Sequence, residues 1–167
     1  LQGAGPMHFG LWLVFLTGFM ALAIYDLKWQ LLPDKVVWPL VGLAAVQAAA
    51  DISWGEKHIL PMLGALAVAS GLFWAIYQIS KGQWIGGGDV KLGLVLGLLA
   101  GTPLKAMLML FIASVLGTLV AVPLMLQHKA SRRTQLPFGP FLIAGCIIVV
   151  LWGDRLIQAY MQWVGLV

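Results

Sequence analysis

Gly86-Gly-Gly-Asp89-Val-Lys91-Leu-Gly93-Leu-Val-Leu-Gly97-Leu-Leu-Ala-Gly101 is the stretch that decides how this chain folds. Three glycines and a carboxylate open a run that is otherwise almost wholly apolar, and a second apolar run precedes them. An ionisable group at membrane depth is costly, so it marks a functional site by default. From Asp89 to Gly101 the run holds 13 residues, roughly 20 Å of helix against about 30 Å of hydrocarbon. The expectation is a short helix whose glycine-rich entrance is recessed, because irregular backbone at membrane depth is tolerated where it lines a watered cavity. Gly93, Gly97 and Gly101 recur every fourth residue, a small-residue stripe that lets a neighbouring helix approach closely.

Working outward, the whole chain has the composition of a membrane protein. Hydrophobic residues make up 61% and charged residues 10%, and the mean hydropathy is +0.95. An ordinary soluble domain is about 45–50% apolar and about 25% charged. With 167 residues there is room for one helical bundle and no second domain. Residues 1–6 read as residues added ahead of Met7, leaving 7–167 as a single transmembrane domain. The single Cys146 rules out a disulfide framework and a four-cysteine metal site; it reads as a small packing residue.

The runs predict an all-α integral membrane protein of six transmembrane helices. They cover about Phe9–Tyr25, Lys35–Ala50, Ile59–Ile79, Asp89–Gly101, Leu104–Leu126 and Leu136–Trp152. Asp154 to Val167 is too short and too polar at its start to span, and is expected as an interfacial helix with Tyr160 and Trp163 at headgroup level. Lys28, Lys35, Lys81, Lys91, Lys129, Arg132 and Arg133 fall on one side, and Lys57, Lys105 and Arg155 on the other. Seven basic residues against three make the side bearing Asp26 and Asp89 cytoplasmic. The same bias accounts for the net charge of +4, so no nucleic-acid partner is implied.

Asp26 closes the first apolar run as Asp89 opens the fourth. Two carboxylates sharing one proton can activate water and protonate a carbonyl oxygen, the minimum for aspartyl proteolysis. Their helix ends are opposite, which favours Asp89 as the more readily ionised partner, since free N–H groups and the dipole favour an anion at a helix start. Taken singly, Asp89 reads equally as a helix cap, Asp26 as an interfacial carboxylate beside Lys28, and Asp34, after Pro33, as the cap of the second helix. Lys91, one turn from the pair, is a candidate for a substrate or electrostatic role and otherwise a topology signal. His8, His58 and His128 are scattered, with no metal-ligand cluster and no HExxH. Ser70 and Ser114 have no histidine in an adjacent span, which leaves a serine protease unsupported.

Four stretches carry a family likeness: Ile24-Tyr-Asp26-Leu, Leu32-Pro33-Asp34, Gly86-Gly87-Gly88-Asp89-Val-Lys91-Leu and Leu136-Pro-Phe-Gly139-Pro140-Phe. In this order they resemble the type IV prepilin peptidases, of the GxGD class of intramembrane aspartyl proteases. The resemblance implies Asp26 and Asp89 as the catalytic pair, with Gly86, Gly87 and Gly88 forming the active-site motif; Pro137 and Pro140 around Gly139 read equally as shaping the entry of the sixth helix beside that site and as a purely structural kink. It implies cleavage of the basic leader of prepilins or pseudopilins at the cytoplasmic face of the bacterial inner membrane, with no metal or cofactor. Many members of the family also carry paired CxxC motifs and methylate the new N-terminus using S-adenosylmethionine. This chain has no CxxC, so only the peptidase activity carries over. Two other readings stay open: a small proton or cation transporter with paired carboxylates, and an inactive assembly factor of a pilus or secretion system.

Overall fold

A computed structural model describes residues 6–55, 58–127 and 137–165 of the chain. Helix α1 is Pro6–Trp29 and α2 is Asp34–Ser53. A third rod joins α3, Ile59–Leu66, through a π-helical turn at Ala67–Gly71 to α4, Leu72–Ser80. Then follow α5, Gly87–Ala100, α6, Pro103–Leu126, and α7, Gly139–Val164. All described helices are built from the apolar runs, and the breaks between them have local causes. Pro33 stands extended before α2, where its carbonyl takes the N–H groups of Val36 and Val37. Lys81 and Gly82, both at positive φ, end α4 by returning their N–H groups to Gln78 and Tyr77. Gly101, at φ +72°, ends α5, and Thr102 caps α6 just ahead of Pro103.

Among the described residues five rods are long and apolar enough to cross a membrane: α1, α2, α3–α4, α6 and α7. The sixth, α5, has 14 residues, or about 21 Å. It stands at the centre, packed on α2, the α3–α4 rod, α6 and α7. Leu92, Gly93 and Val95 through Ala100 are buried, an apolar surface on every side. A helix enclosed along its length in this way packs on protein and not on lipid, so it need not match the bilayer thickness.

The glycine stripe divides into two uses. At Gly93 an added Cβ would lie 2.8 Å from the Ala69 carbonyl oxygen and 3.0 Å from the Ser70 Cα; at Gly97 it would lie 3.2 Å from the Ala65 carbonyl oxygen. Both glycines seat α5 against the backbone of the third rod, the close approach expected of them. Gly101 instead supplies the left-handed turn that stops the helix.

The entrance to α5 is recessed, as its length suggested. The Ser70 hydroxyl donates to the Val90 carbonyl, which sets the start of α5 level with the middle of the third rod. Ser80, where that rod ends, lies ten residues beyond Ser70, or about 15 Å higher. The segment between Lys81 and Gly86 therefore runs back from the end of the third rod toward its middle.

Two expectations need correction. The last segment is not a separate interfacial helix: α7 runs unbroken through Asp154 to Val164. Its 26 residues measure about 39 Å, so the final turns extend beyond about 30 Å of hydrocarbon as a continuation of the span. The polar start that argued for a break is accommodated because Lys105 of α6 pairs with Asp154 at 2.9 Å. Asp26 lies inside α1, which continues to Trp29, and Asp89 is the third residue of α5. The Lys57 and Glu56 turn, His128, and the basic run of Lys129, Arg132 and Arg133 lie outside the described residues.

Candidate active site

The three motif glycines meet different surroundings. Gly86 is the N-cap of α5 in ordinary extended backbone, exposed, and an added Cβ there would meet nothing closer than the Asp89 carboxylate at 3.8 Å. Gly87 lies under the Tyr77 ring, with 3.8 Å to a would-be Cβ. Gly88 is sterically required: its Cβ would sit 2.9 Å from that of Leu32, in the linker between α1 and α2. Asp89 follows in the first turn of α5, half-buried, with the Gly86 N–H turned toward its carboxylate. The first N–H groups of a helix have no partner within it, so this is a donor-rich position for an anion.

Asp26 reaches the same end of the bundle from α1. It is 6% exposed and accepts a hydrogen bond from the Gly139 N–H at 2.9 Å. Gly139 is the first residue of α7 and Pro140 follows it without an N–H, so Gly139 is the donor this helix start aims at Asp26. A Cβ on Gly139 would stand 2.6 Å from Asp26 Oδ2, so only glycine permits the contact. Phe138, just ahead, packs edge-on against Phe73 of α4 with ring centroids 6.1 Å apart, and a Cβ on Gly117 of α6 would lie 3.6 Å from both Phe138 and Phe141.

The two carboxylates are within electrostatic reach of each other. Each faces the start of a helix: Asp89 its own, Asp26 that of α7. The contrast argued from the ends of their own helices therefore disappears. The α7 start provides Asp26 with a donor that the C-terminal end of α1 does not.

Lys91 pairs with Asp34 at 2.6 Å, so its ammonium is directed to the start of α2. Asp34 makes no side-chain cap; it is the first residue of α2 and its carboxylate holds Lys91. The α1–α2 linker and the start of α2 are thus tied to the first turns of α5 at two points, Leu32 on Gly88 and Asp34 on Lys91. Gly139 stood within a family stretch, but nothing in its spacing pointed to Asp26. Leu32 likewise stood within a family stretch with nothing that pointed to Gly88, and Tyr77, an aromatic residue near the end of α4, gave no signal. Among the described residues no group of three His, Cys, Asp or Glu side chains converges.

Residues 13–122 match the type IV leader peptidase family. Three proteins named prepilin leader peptidase/N-methyltransferase are similar along almost the whole chain. The one from Stutzerimonas stutzeri is 30% identical, covering 98% of this chain and 58% of that protein. The one from Pseudomonas aeruginosa is 31% identical, covering 99% and 59%. The one from Bacillus subtilis is 30% identical, covering 97% and 66%. The chain thus spans about three fifths of the length of these relatives. No solved structure matches.

Proposed function

The chain belongs to the type IV leader peptidase family, and from that premise we propose that it is an aspartic endopeptidase of the bacterial cytoplasmic membrane that cuts the basic leader from type IV prepilins or pseudopilins. The observation that carries this reading is the meeting of Asp26 and Asp89, from α1 and α5, within electrostatic reach at one end of the bundle. Membership in the family does not favour the transporter or the inactive assembly factor.

The chemistry needs only these two groups and water. One carboxylate takes a proton from water as the oxygen attacks the scissile carbonyl carbon, while the other, protonated, donates to the carbonyl oxygen. The tetrahedral intermediate then collapses: the C–N bond breaks as the newly protonated carboxyl gives its proton to the leaving amine, and a hydroxyl of the intermediate returns a proton to the other carboxylate as the C=O re-forms. Because the pair exchanges one proton, the roles alternate. The exposed Gly86 leaves bare backbone beside Asp89, suited to an extended peptide pairing through its main chain. Lys28, Lys35, Lys81 and Lys91 at the same end support a cytoplasmic orientation.

Purified protein in detergent, incubated with a prepilin, tests the reading. Release of the leader is expected from the unsubstituted chain and is lost in Asp26→Asn and in Asp89→Asn. Cleavage that survives both substitutions would overturn it.

A further inference from the structure

We propose that Ser70 is a positioning residue for Asp89, its hydroxyl holding the first turn of α5 at the depth and rotation that bring Asp89 to Asp26. The inference rests on the peptidase reading and extends it to a residue outside the dyad and the glycine motif.

Ser70 lies within the π-helical turn Ala67–Gly71 of the third rod and is 7% exposed. A π-turn fits one extra residue into the coil, bulging the rod and displacing its backbone from regular α-helical register. Here the bulge meets α5. The Gly93 position faces the Ala69 carbonyl oxygen and Ser70 Cα at contact so close that any Cβ would clash. One turn nearer the site, the Ser70 hydroxyl donates to the Val90 carbonyl at 3.0 Å. Val90 immediately follows Asp89. Backbone contact at Gly93 fixes how near the two rods come, but leaves α5 free to slide or turn along that surface. The directional bond to Val90 removes this freedom beside the carboxylate.

The other described serine and threonine hydroxyls inside the long helices behave differently. Thr17, Ser114 and Thr118 each return to a carbonyl four residues earlier in their own helix. Ser70 reaches across to another rod, and it does so next to a proposed catalytic group.

Three measurements on Ser70→Ala and Ser70→Thr, with Ser114→Ala as control, test the proposal. With a prepilin substrate, Ser70→Ala is expected to lower kcat about tenfold, the equivalent of one hydrogen bond lost from the transition state, with KM within about twofold. Ser70→Thr, which keeps the hydroxyl, is expected to recover most of kcat, and Ser114→Ala to leave it unchanged. In an Asp26→Asn background, the infrared carboxyl band of Asp89 is expected to shift on Ser70→Ala, a readout that a distant structural role would not move. Unchanged kcat together with an unshifted band would overturn the positioning role. So would a kcat loss that only follows a lowered melting temperature, with no change in the band. Failure of the unsubstituted chain to cleave would overturn the peptidase reading instead, and the band shift would still report whether Ser70 sets Asp89.

Discussion

The two ends of the helix bundle carry matched sets of polar residues, yet among the described residues they converge on the proposed site at one end. At the first end lie a buried carboxylate, Asp26, an ion pair, Asp34–Lys91, and a glycine at close contact, Gly139. At the other lie a buried carboxylate, Asp51, an ion pair, Lys105–Asp154, and a glycine at close contact, Gly153. Asp51 is 3% exposed, as deeply placed as Asp26. Burial of a charge therefore does not distinguish the ends. What does is convergence: at the first end a second carboxylate approaches, helix starts present N–H groups to both acids, and glycines leave backbone bare beside them. Fixed donors and dipoles aimed at a charge are what preorganised catalysis requires.

The sharpest way to break this contrast is to neutralise one acid at each end. Asp26→Asn is expected to lower leader cleavage by about 10³-fold or more, as removal of one member of a catalytic unit does. Asp51→Asn is expected to leave kcat within about threefold, with any cost appearing as a lower melting temperature in detergent. Comparable losses of kcat from both substitutions would mean that burial, and not convergence, is what matters.

The glycines give the next largest difference. In Gly139→Ala the methyl would stand 2.6 Å from Asp26 Oδ2, so either the acid or the start of α7 must shift. A displacement near 1 Å in a catalytic group costs about 10²-fold, and kcat is expected to fall by about that factor. Gly153→Ala places its methyl 3.0 Å from Val149 Cγ1, a side-chain atom of the same helix. A change of Val149 rotamer relieves the contact, and the gain in helix propensity, up to about 1 kcal/mol, offsets its cost. Cleavage by Gly153→Ala should match that of the unsubstituted chain when both are assayed side by side.

These differences explain what the sequence could and could not announce. The spans were legible because lipid demands long apolar runs, and the recessed start of α5 followed from counting residues against hydrocarbon thickness. The break expected at Asp154 was wrong because its partner, Lys105, comes from another helix, and no local pattern records such a pairing. The two acids stood out as charges beside apolar runs, whereas Gly139 became a candidate site residue only when α7 docked its first N–H on Asp26. The π-turn at Ala67–Gly71 leaves the hydropathy of the third rod unchanged, so the tie from Ser70 to Val90 had no signature in the periodicity.

The ion pairs should differ least, and for that reason they test the contrast most finely. Both are partly solvated, and pairs of this kind contribute about 0–1 kcal/mol to stability. Lys91→Met and Lys105→Met should therefore lower the melting temperature by similar small amounts. Their effects on cleavage should separate, because Asp34–Lys91 ties the linker that seats Leu32 on Gly88, whereas Lys105–Asp154 joins α6 to α7 at the far end. Lys91→Met is expected to lower kcat/KM about threefold, corresponding to about 0.7 kcal/mol, and Lys105→Met to leave it unchanged. If the pair acts by holding the linker, Asp34→Asn should have the same effect and the double substitution should add little to either. Fully additive losses would assign Lys91 a separate part, in direct contact with substrate, and would move it from the frame of the site into its binding surface.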